Sequence, residues 1–243
     1  MACGDRQWRS ADAGHDRTDW QHDAWFEDSP REPTELHRLR LQAAHDALRA
    51  SGARTVADLG CGDGALVRRL LADATITRIV GLDRDLSALG RLERSVDPAA
   101  LATGRLHLLH GSFATPPPGL DPTDAAVLLE TIEHVPLTKL SAVEQHVFGT
   151  LAPATVIVTT PNQEFNVLFG MAPGQMREPS HCFEWPRQRF RNWAAGIALR
   201  RGYAVKISGI GAADLNCGSP TQMALFTRYA SHNGPPCRSL NPV

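Results

Sequence analysis

Three side chains that could hold a metal ion lie within five residues of each other. Glu130, Glu133 and His134 occur in the stretch LLETIEHV, directly after the apolar run 125–129. Offsets of three and four positions place side chains on one face of a helix or turn. Carboxylates and imidazoles are ligands of divalent transition metals. The stretch therefore predicts a metal site that lacks one more ligand.

Upstream, a glycine-rich turn follows an apolar strand, in the stretch VADLGCGDG at residues 56–64. Glycines at alternate positions, Gly60 and Gly62 among them, let the backbone turn tightly and approach a ligand closely. Asp83 ends the next predicted strand, the place for an acid that accepts hydrogen bonds from ribose hydroxyls. These features favour a nucleoside-binding pocket, and a plain tight turn between strand and helix is the alternative.

Acidic residues around this turn indicate which nucleoside cofactor it binds. Dinucleotide-binding loops usually run GxGxxG and receive a pyrophosphate, whereas this loop runs GxGxG. Asp58 precedes the first glycine and Asp63 lies inside the loop. Negative side chains there would repel a pyrophosphate but suit the cationic methionine moiety of S-adenosylmethionine. The loop therefore favours S-adenosylmethionine over NAD.

The composition limits the function classes. The chain has 243 residues, 42% of them hydrophobic, which fits one domain of ordinary size with extensions. A formal net charge of −1 provides no general basic field for gripping long nucleic acids. Five cysteines without CxxC spacing do not fit a disulfide framework and indicate a reducing compartment. Without an apolar leader or a run of membrane-spanning length, the protein is expected to be cytoplasmic.

The elements that must position these residues alternate along the chain, as strands and helices. The predicted strands are Thr55–Leu59, Arg78–Asp83, Leu106–Gly111, Asp124–Leu129, Thr155–Thr160, Tyr203–Ile210 and Gln222–Tyr229. The predicted helices are Thr34–Ser51, Ala65–Ala72, Leu86–Ser95, Thr138–Thr150 and Arg187–Arg201. This alternation is typical of a doubly wound α/β fold with a mostly parallel sheet. The last two strands are expected to form an antiparallel edge.

The chain divides into three predicted parts. Residues 1–33 form a polar N-terminal tail that is expected to be mobile. Residues 34–230 form the domain, and residues 231–243 form a flexible C-terminal tail. Within the domain, residues 162–186 lack clear periodicity, and a loop of this length inside a compact domain is often functional.

His181 lies in this long loop and is the candidate for the missing metal ligand. An isolated histidine is more often a surface or hydrogen-bonded group than a ligand. The loop, however, enters from the edge of the sheet where Glu130, Glu133 and His134 project. As a ligand, His181 would complete a set of two glutamates and two histidines.

The glycine turn resembles motif I of the class I S-adenosylmethionine-dependent methyltransferases. Those enzymes have a Rossmann-like sheet of seven strands with an antiparallel last strand, in agreement with the predicted order of elements. The resemblance implies that the cofactor-binding residues are Asp58, Gly60, Gly62, Asp83, Ser112 and Phe113. Ser112 and Phe113 would contact the adenine, although Phe113 fits a position in the core equally well.

Three motifs taken together are more specific. ETIEHV, TTPNQEFN and HCFEW occur in the order found in the small-RNA 3′-terminal ribose 2′-O-methyltransferase family, and the resemblance covers residues 35–228. It implies a catalytic metal centre made of Glu130, Glu133, His134 and His181. This chain departs from the family pattern at Ser180, where Asp is common, and at Glu178, where a further His often stands. With only about thirty polar residues before the domain, it resembles a stand-alone form.

The resemblance implies metal-dependent transfer of a methyl group from S-adenosylmethionine to the 2′-OH of the 3′-terminal nucleotide of RNA. Carboxylate and imidazole ligands suit Mn²⁺ better than Mg²⁺, and Co²⁺ is a further candidate. One of the histidines could accept the proton instead of binding metal. The expected partner is an RNA 3′ end, with no DNA and no membrane, and an RNA-end processing or repair protein is a candidate partner.

Other side chains are candidates for contacts to RNA. The arginines of the predicted helix Arg187–Arg201 could contact phosphates. The aromatic residues of the long loop could stack on an unpaired end, although most are expected to anchor the loop. They are Phe165, Phe169, Phe183 and Trp185.

Two other functions remain open. A methyltransferase for a small catechol or quinone could use a similar ExxEH metal site, and a non-catalytic RNA-end binding protein could retain the fold. The TTPNQEFN and HCFEW segments argue against the first, and the intact glycine loop with all four candidate ligands argues against the second.

Overall fold

The computed structural model describes residues 34–229, and in this range seven strands form one sheet in the order β3-β2-β1-β4-β5-β7-β6. They are β1 Thr55–Leu59, β2 Arg78–Asp83, β3 Leu106–His110, β4 Ala125–Leu129, β5 Thr155–Pro161, β6 Tyr203–Ile210 and β7 Thr221–Arg228. Strands β1 to β5 pair in parallel, whereas β7 runs antiparallel to both β5 and β6. The predicted seven-stranded, mostly parallel sheet with an antiparallel last strand is confirmed.

Helices connect the strands and cover both faces of the sheet. They are α1 Glu35–Ser51, α2 Ala65–Leu71, α3 Leu86–Ser95, α4 Pro98–Ala102, α5 Leu140–Val143 and α6 Arg187–Arg201. A π-helical segment, Glu144–Leu151, continues α5. Three short 3₁₀ helices span Ile132–His134, Leu137–Lys139 and Gln163–Phe169.

Two apolar clusters lie on opposite faces of the sheet. On one face α1, α2 and α3 bury side chains that include Leu48, Leu70 and Leu92. On the other face the π-helical segment and α6 bury Phe148 and Phe190. Helices on both faces require strands that are buried on both sides, which explains the continuous apolar runs of the central strands.

The connectivity creates a crevice at one edge of the sheet. Strand β1 lies between β2 and β4, so the chain moves outward in one direction after β1 and in the other direction after β4. In open α/β sheets, ligands bind outside the carboxyl ends of the strands at such a switch point. The residues that follow β1 and β4 are therefore the ones placed to bind ligands.

The structure differs from the sequence predictions in three helical regions. The predicted helix Thr138–Thr150 is in fact a 3₁₀ turn, a short α-helix and a π-helical segment. In its last, wider turn the amide of Ala152 donates to the carbonyl of Val147 at 2.9 Å, just before Pro153. Helix α4 was not predicted, although Asp97 caps it and Pro98 stands at its first turn, which are start signals. The long loop contains a 3₁₀ helix that begins after Asn162, whose side chain accepts from the amide of Glu164.

The predicted tails, residues 1–33 and 231–243, lie outside the described residues. Between residues 34 and 229, no helix has the length and apolar character needed to cross a membrane.

The packing of the glycine turn against α3 leads to a stability prediction. Gly64 has φ +87°, and a Cβ atom there would lie 2.2 Å from Leu92 Cδ1, whereas Gly52 has φ +72° and open space around it. Both substitutions to alanine should lower the free energy of unfolding by about 1–2 kcal/mol, because a Cβ atom is strained in the left-handed backbone conformation. Gly64→Ala should lower it by a further ~1–3 kcal/mol, because the added methyl group overpacks against Leu92. Urea unfolding followed by circular dichroism measures both, and equal losses for Gly64→Ala and Gly52→Ala would contradict the packing argument.

Candidate active site

The candidate residues meet at the carboxyl edge of the sheet. The glycine loop follows β1, and Asp83 is the last residue of β2. Glu130 follows β4 directly, and the 3₁₀ helix Ile132–His134 comes next. Since β1 and β4 are paired neighbours, the glycine loop and the ExxEH turn start side by side.

The glycine loop is held by short backbone contacts. The amides of Gly60 and Cys61 both donate to the carbonyl of Leu82, at 2.7 and 3.0 Å. Gly60 has φ +89°, and a Cβ atom there would lie 2.6 Å from Thr131 Cγ2. Glycine is therefore required at this position by both the backbone conformation and the neighbouring turn.

Asp83 fixes the loop from the end of β2. Its Oδ2 atom accepts from the amide of Gly62 at 2.7 Å, and its Oδ1 atom accepts from the amide of Asp85 at 2.8 Å. Asp58 lies beneath, with 2% of its surface exposed. Burial, reinforced by the charge of Asp83, raises the pKa of Asp58 to about 7. A cationic ligand bound beside this pair would favour the ionised form of Asp58.

Ser112 and Phe113 follow β3 beside this loop. Ser112 Oγ accepts from the amide of Ala114 at 3.1 Å, which stabilises the turn. Phe113 is half-buried and packs against the core, and its Cε1 atom lies 3.6 Å from the Cβ position of Gly60. The core role considered for Phe113 is therefore seen in the structure, and its contact with the adenine stays a prediction.

Three of the four predicted metal ligands come together. The candidate ligand atoms of Glu133, His134 and His181 all lie within 4.8 Å of one another. The two imidazole rings are T-shaped, with centroids 4.8 Å apart. The amide of Cys182 donates to the carbonyl of Glu133 at 2.7 Å, which attaches the long loop to the ExxEH turn.

Glu133 is a buried carboxylate with one unused oxygen. Its exposed fraction is 0%, and Oε2 accepts from Thr160 Oγ1 at 3.0 Å. The other oxygen, Oε1, has no hydrogen-bond partner among residues 34–229. Burial and the nearby charge of Glu130 raise the pKa of Glu133 well above its ordinary value. A bare buried carboxylate oxygen is costly unless it is paired or coordinates a metal, so the site fits a cation.

The two histidines each have a hydrogen-bond acceptor opposite one ring nitrogen. Burial and the neighbouring His181 lower the pKa of His134, which favours its neutral state. His134 Nδ1 lies 3.4 Å from the carbonyl oxygen of Ser180, and His181 Nδ1 lies 2.6 Å from Glu184 Oε1. With acceptors opposite both Nδ1 atoms, the Nε2 atoms are the candidate metal ligands.

Glu130 is placed differently from the other three candidates. It follows β4 with φ +53°, and its amide donates to Thr159 Oγ1 at 3.0 Å. Its Oε2 atom lies 2.8 Å from Arg40 Nη2, and it is not in the group of three whose ligand atoms lie within 4.8 Å of one another.

Glu184 is a functional candidate that the sequence analysis missed. It is buried, with 6% of its surface exposed, and besides His181 it accepts from the amide of Arg177 at 2.7 Å and from Asn166 Nδ2 at 2.6 Å. Burial opposes its charge, but the bonds from His181, Asn166 and Arg177 outweigh burial and lower the pKa of Glu184. The signal was present as an acid three positions after His181 in HCFEW.

The aromatic residues of the long loop divide into two groups. Phe183 and Trp185 are buried and stack on each other with centroids 4.3 Å apart, so they anchor the loop as expected. Phe169 remains 45% exposed, with the guanidinium of Arg177 4.9 Å from its ring centroid.

In α6, Arg187 pairs with Glu164 and thereby ties the start of the helix to the loop.

Comparison with known proteins shows which family this chain resembles. A family model described as a methyltransferase domain matches residues 56–154. The small RNA 2′-O-methyltransferase of Xenopus tropicalis is 34% identical over 203 residues, which is 79% of this chain and 55% of that protein. The enzyme of the same name from Mus musculus is 34% identical over 204 residues, 79% of this chain and 51% of that protein. This chain thus spans about half the length of these curated relatives.

One solved structure is matched over its whole length by this chain. The methyltransferase domain of a bacterial Hen1 protein, CtHen1-C, is 36% identical with a TM-score of 0.71, and the match covers 81% of this chain and 100% of that domain. Fold, motif order and identity over a whole domain agree: this chain belongs to the small RNA 2′-O-methyltransferase (Hen1) family.

Proposed function

We propose that this chain transfers a methyl group from S-adenosylmethionine to the 2′-OH of the 3′-terminal nucleotide of RNA, in a reaction that depends on a divalent metal. The observation that carries the proposal is the group formed by Glu133, His134 and His181, with a bare carboxylate oxygen, at the same edge of the sheet as the glycine loop. The names of the relatives supply the reaction class, small RNA 2′-O-methylation.

The glycine loop and the acidic residues around it favour S-adenosylmethionine as the cofactor. The carboxylate of Asp83 is placed at the end of β2, where ribose hydroxyls are bound in such folds. Asp58 and Asp83 together create a negative region beneath the loop. This region suits a cofactor that carries an ammonium and a sulfonium group, and it disfavours a pyrophosphate.

Glu133, His134 and His181 would hold the metal ion, with Glu130 as a fourth ligand. When bound, the metal would orient the hydroxyl groups of the terminal ribose and lower the pKa of the attacking hydroxyl. The donor set of carboxylates and imidazoles favours Mn²⁺, with Co²⁺ and Mg²⁺ as alternatives. Glu184 Oε1, which lies 2.6 Å from His181 Nδ1, would hold the ring in place.

The same residues would select a free RNA end. In this proposal the acceptor ribose lies beside the carboxylates of Glu130 and Glu133, both of which are largely shielded from water. A 3′-phosphate would add negative charge next to them and remove one of two neighbouring hydroxyls. A DNA end lacks the 2′-OH altogether. A processing or repair protein that leaves a 3′-OH is the expected partner.

Substitution of Asp83 tests the cofactor pocket. Asp83→Ala should weaken binding of S-adenosylmethionine roughly 10- to 100-fold, because a hydrogen bond to a charged group contributes about 1.5–3 kcal/mol. Asp97→Ala is the matched control, since that acid caps the remote helix α4. Isothermal titration calorimetry measures both affinities. Unchanged affinity in Asp83→Ala would contradict the pocket assignment.

Substitutions of Glu133, His181 and Glu184 test the metal centre. Glu133→Ala and His181→Ala should nearly abolish methyl transfer and metal binding, while S-adenosylmethionine still binds. Glu184→Gln should weaken Mn²⁺ binding about 10- to 100-fold, as is typical when the partner of a ligating histidine is lost. His107→Ala, an exposed histidine on β3, should leave Mn²⁺ binding unchanged. Full activity of His181→Ala at limiting Mn²⁺ would exclude this metal centre and favour the small-molecule alternative.

A set of RNA ends tests the acceptor. Short RNAs ending in 3′-OH, 3′-phosphate, 2′-deoxy and 3′-deoxy nucleotides are incubated with labelled S-adenosylmethionine and Mn²⁺. Only the RNA with both terminal hydroxyls should become labelled and resistant to periodate. Equal labelling of the 3′-phosphate RNA, or labelling of internal riboses, would show that a free terminal pair of hydroxyls is not what the site recognises.

A further inference from the structure

Arg40 reaches from α1 to the edge of the candidate metal centre. Its Nη2 atom lies 2.8 Å from Glu130 Oε2, and the two side chains are only 14% and 16% exposed. Its Nε atom donates to Thr221 Oγ1 at 2.8 Å, so β7 holds the guanidinium in place. A partly buried ion pair with fixed geometry therefore occupies the Oε2 atom of Glu130.

Glu130 nevertheless has the features of a ligand. A residue other than glycine at φ +53° is held in a costly backbone conformation, which is found most often at functional sites. The hydroxyl of Thr159 anchors its amide. Its Oε1 atom is buried and finds no hydrogen-bond partner in the part of the chain that the structure describes.

We propose that Arg40 competes with the metal ion for Glu130: the guanidinium binds the carboxylate when the metal is absent, and Glu130 leaves Arg40 when the metal binds. The inference rests on the metal-dependent function proposed above. It adds Arg40 as a competitor that limits how tightly the metal is held.

The charges at the site explain the exchange. Glu130 and Glu133 are neighbouring carboxylates with little access to water, so one cation close to them is strongly favourable. A divalent ion bound at Glu133, His134 and His181 would supply that charge. Arg40 and the ion would then repel each other at short range, which disfavours contacts of both with the two oxygens of Glu130 at the same time.

The competition predicts that removing the side chain of Arg40 increases the affinity for the metal ion. Removing a side chain that pre-orients a ligand weakens metal binding, whereas removing a competitor strengthens it. Arg40→Gln should therefore bind Mn²⁺ roughly tenfold or more tightly than the wild type, since the ion no longer displaces a hydrogen bond between charged groups. Arg40→Lys retains a cation for Glu130 and should stay near the wild-type value.

The test measures Mn²⁺ dissociation constants from the electron paramagnetic resonance signal of free Mn²⁺, without any assay of methyl transfer. Thr221→Val retains Arg40 but removes its anchor, and should tighten Mn²⁺ binding by a smaller factor. It also tests the inference if Arg40→Gln does not fold. Arg38→Gln is the matched control, because Arg38 lies on the same helix but pairs with the exposed Glu35. Its dissociation constant should equal that of the wild type.

A double-mutant cycle separates competition from simple charge repulsion. In a Glu130→Gln background, Arg40→Gln should no longer tighten Mn²⁺ binding, because the group for which Arg40 competes is gone. A full gain in that background, or equal or weaker binding by Arg40→Gln in the wild-type background, would overturn the proposal. If the wild type itself did not bind Mn²⁺, both this inference and the metal-dependent function would fail, and the remaining outcomes affect the inference alone.

Discussion

A carboxylate that is shut off from water stands at the centre of this protein, at the turn that follows β4. Glu133 has 0% exposure, and Thr160 donates a hydrogen bond to one oxygen of its carboxylate. Groups from three separate elements surround it: Thr160 from β5, His134 from its own turn and His181 from the long loop. A buried carboxylate is costly unless it is hydrogen-bonded or coordinates a metal, so the groups around Glu133 have to be held in place.

The loop meets the requirement through its own buried network. Glu184 holds His181 on one side and the amide of Arg177 and the side chain of Asn166 on the other. Arg177 in turn donates to the carbonyl of Asn162 at 2.7 Å, at the point where the loop leaves β5. The segment therefore has fixed ends and a fixed centre although it has little regular structure.

The sequence predicted the parts of the structure that depend on local pattern. All seven strands lie within one residue of their predicted bounds at each end, because apolar runs between turn residues mark buried parallel strands. Local pattern also predicted that Asp83 ends a strand and that Glu133 and His134 lie in a turn after a strand. The roles proposed for these residues stay predictions.

Contacts between distant segments could not be predicted in the same way. Nothing in the sequence of α1 distinguishes Arg40 from its neighbour Arg38, and only the packing of α1 against the sheet brings Arg40 to Glu130. Glu184 has a recognisable spacing from His181, but its burial depends on the path of the loop. The π-helical segment arises from the way the chain turns before Pro153 to enter β5, which periodicity does not reveal.

The pairing of β1 with β4 has a consequence for the reach of the reaction. The glycine loop hangs from the end of β1 and the ExxEH turn from the end of β4, and Thr131 packs directly against Gly60 between them. Adjacent strands are about 4.8 Å apart in every sheet. The glycine loop and the ExxEH turn are thus one strand spacing apart, and the backbone hydrogen bonds between β1 and β4 fix that distance. The distance between the ends of β1 and β4 is therefore set by the sheet and does not depend on where the outer loops lie.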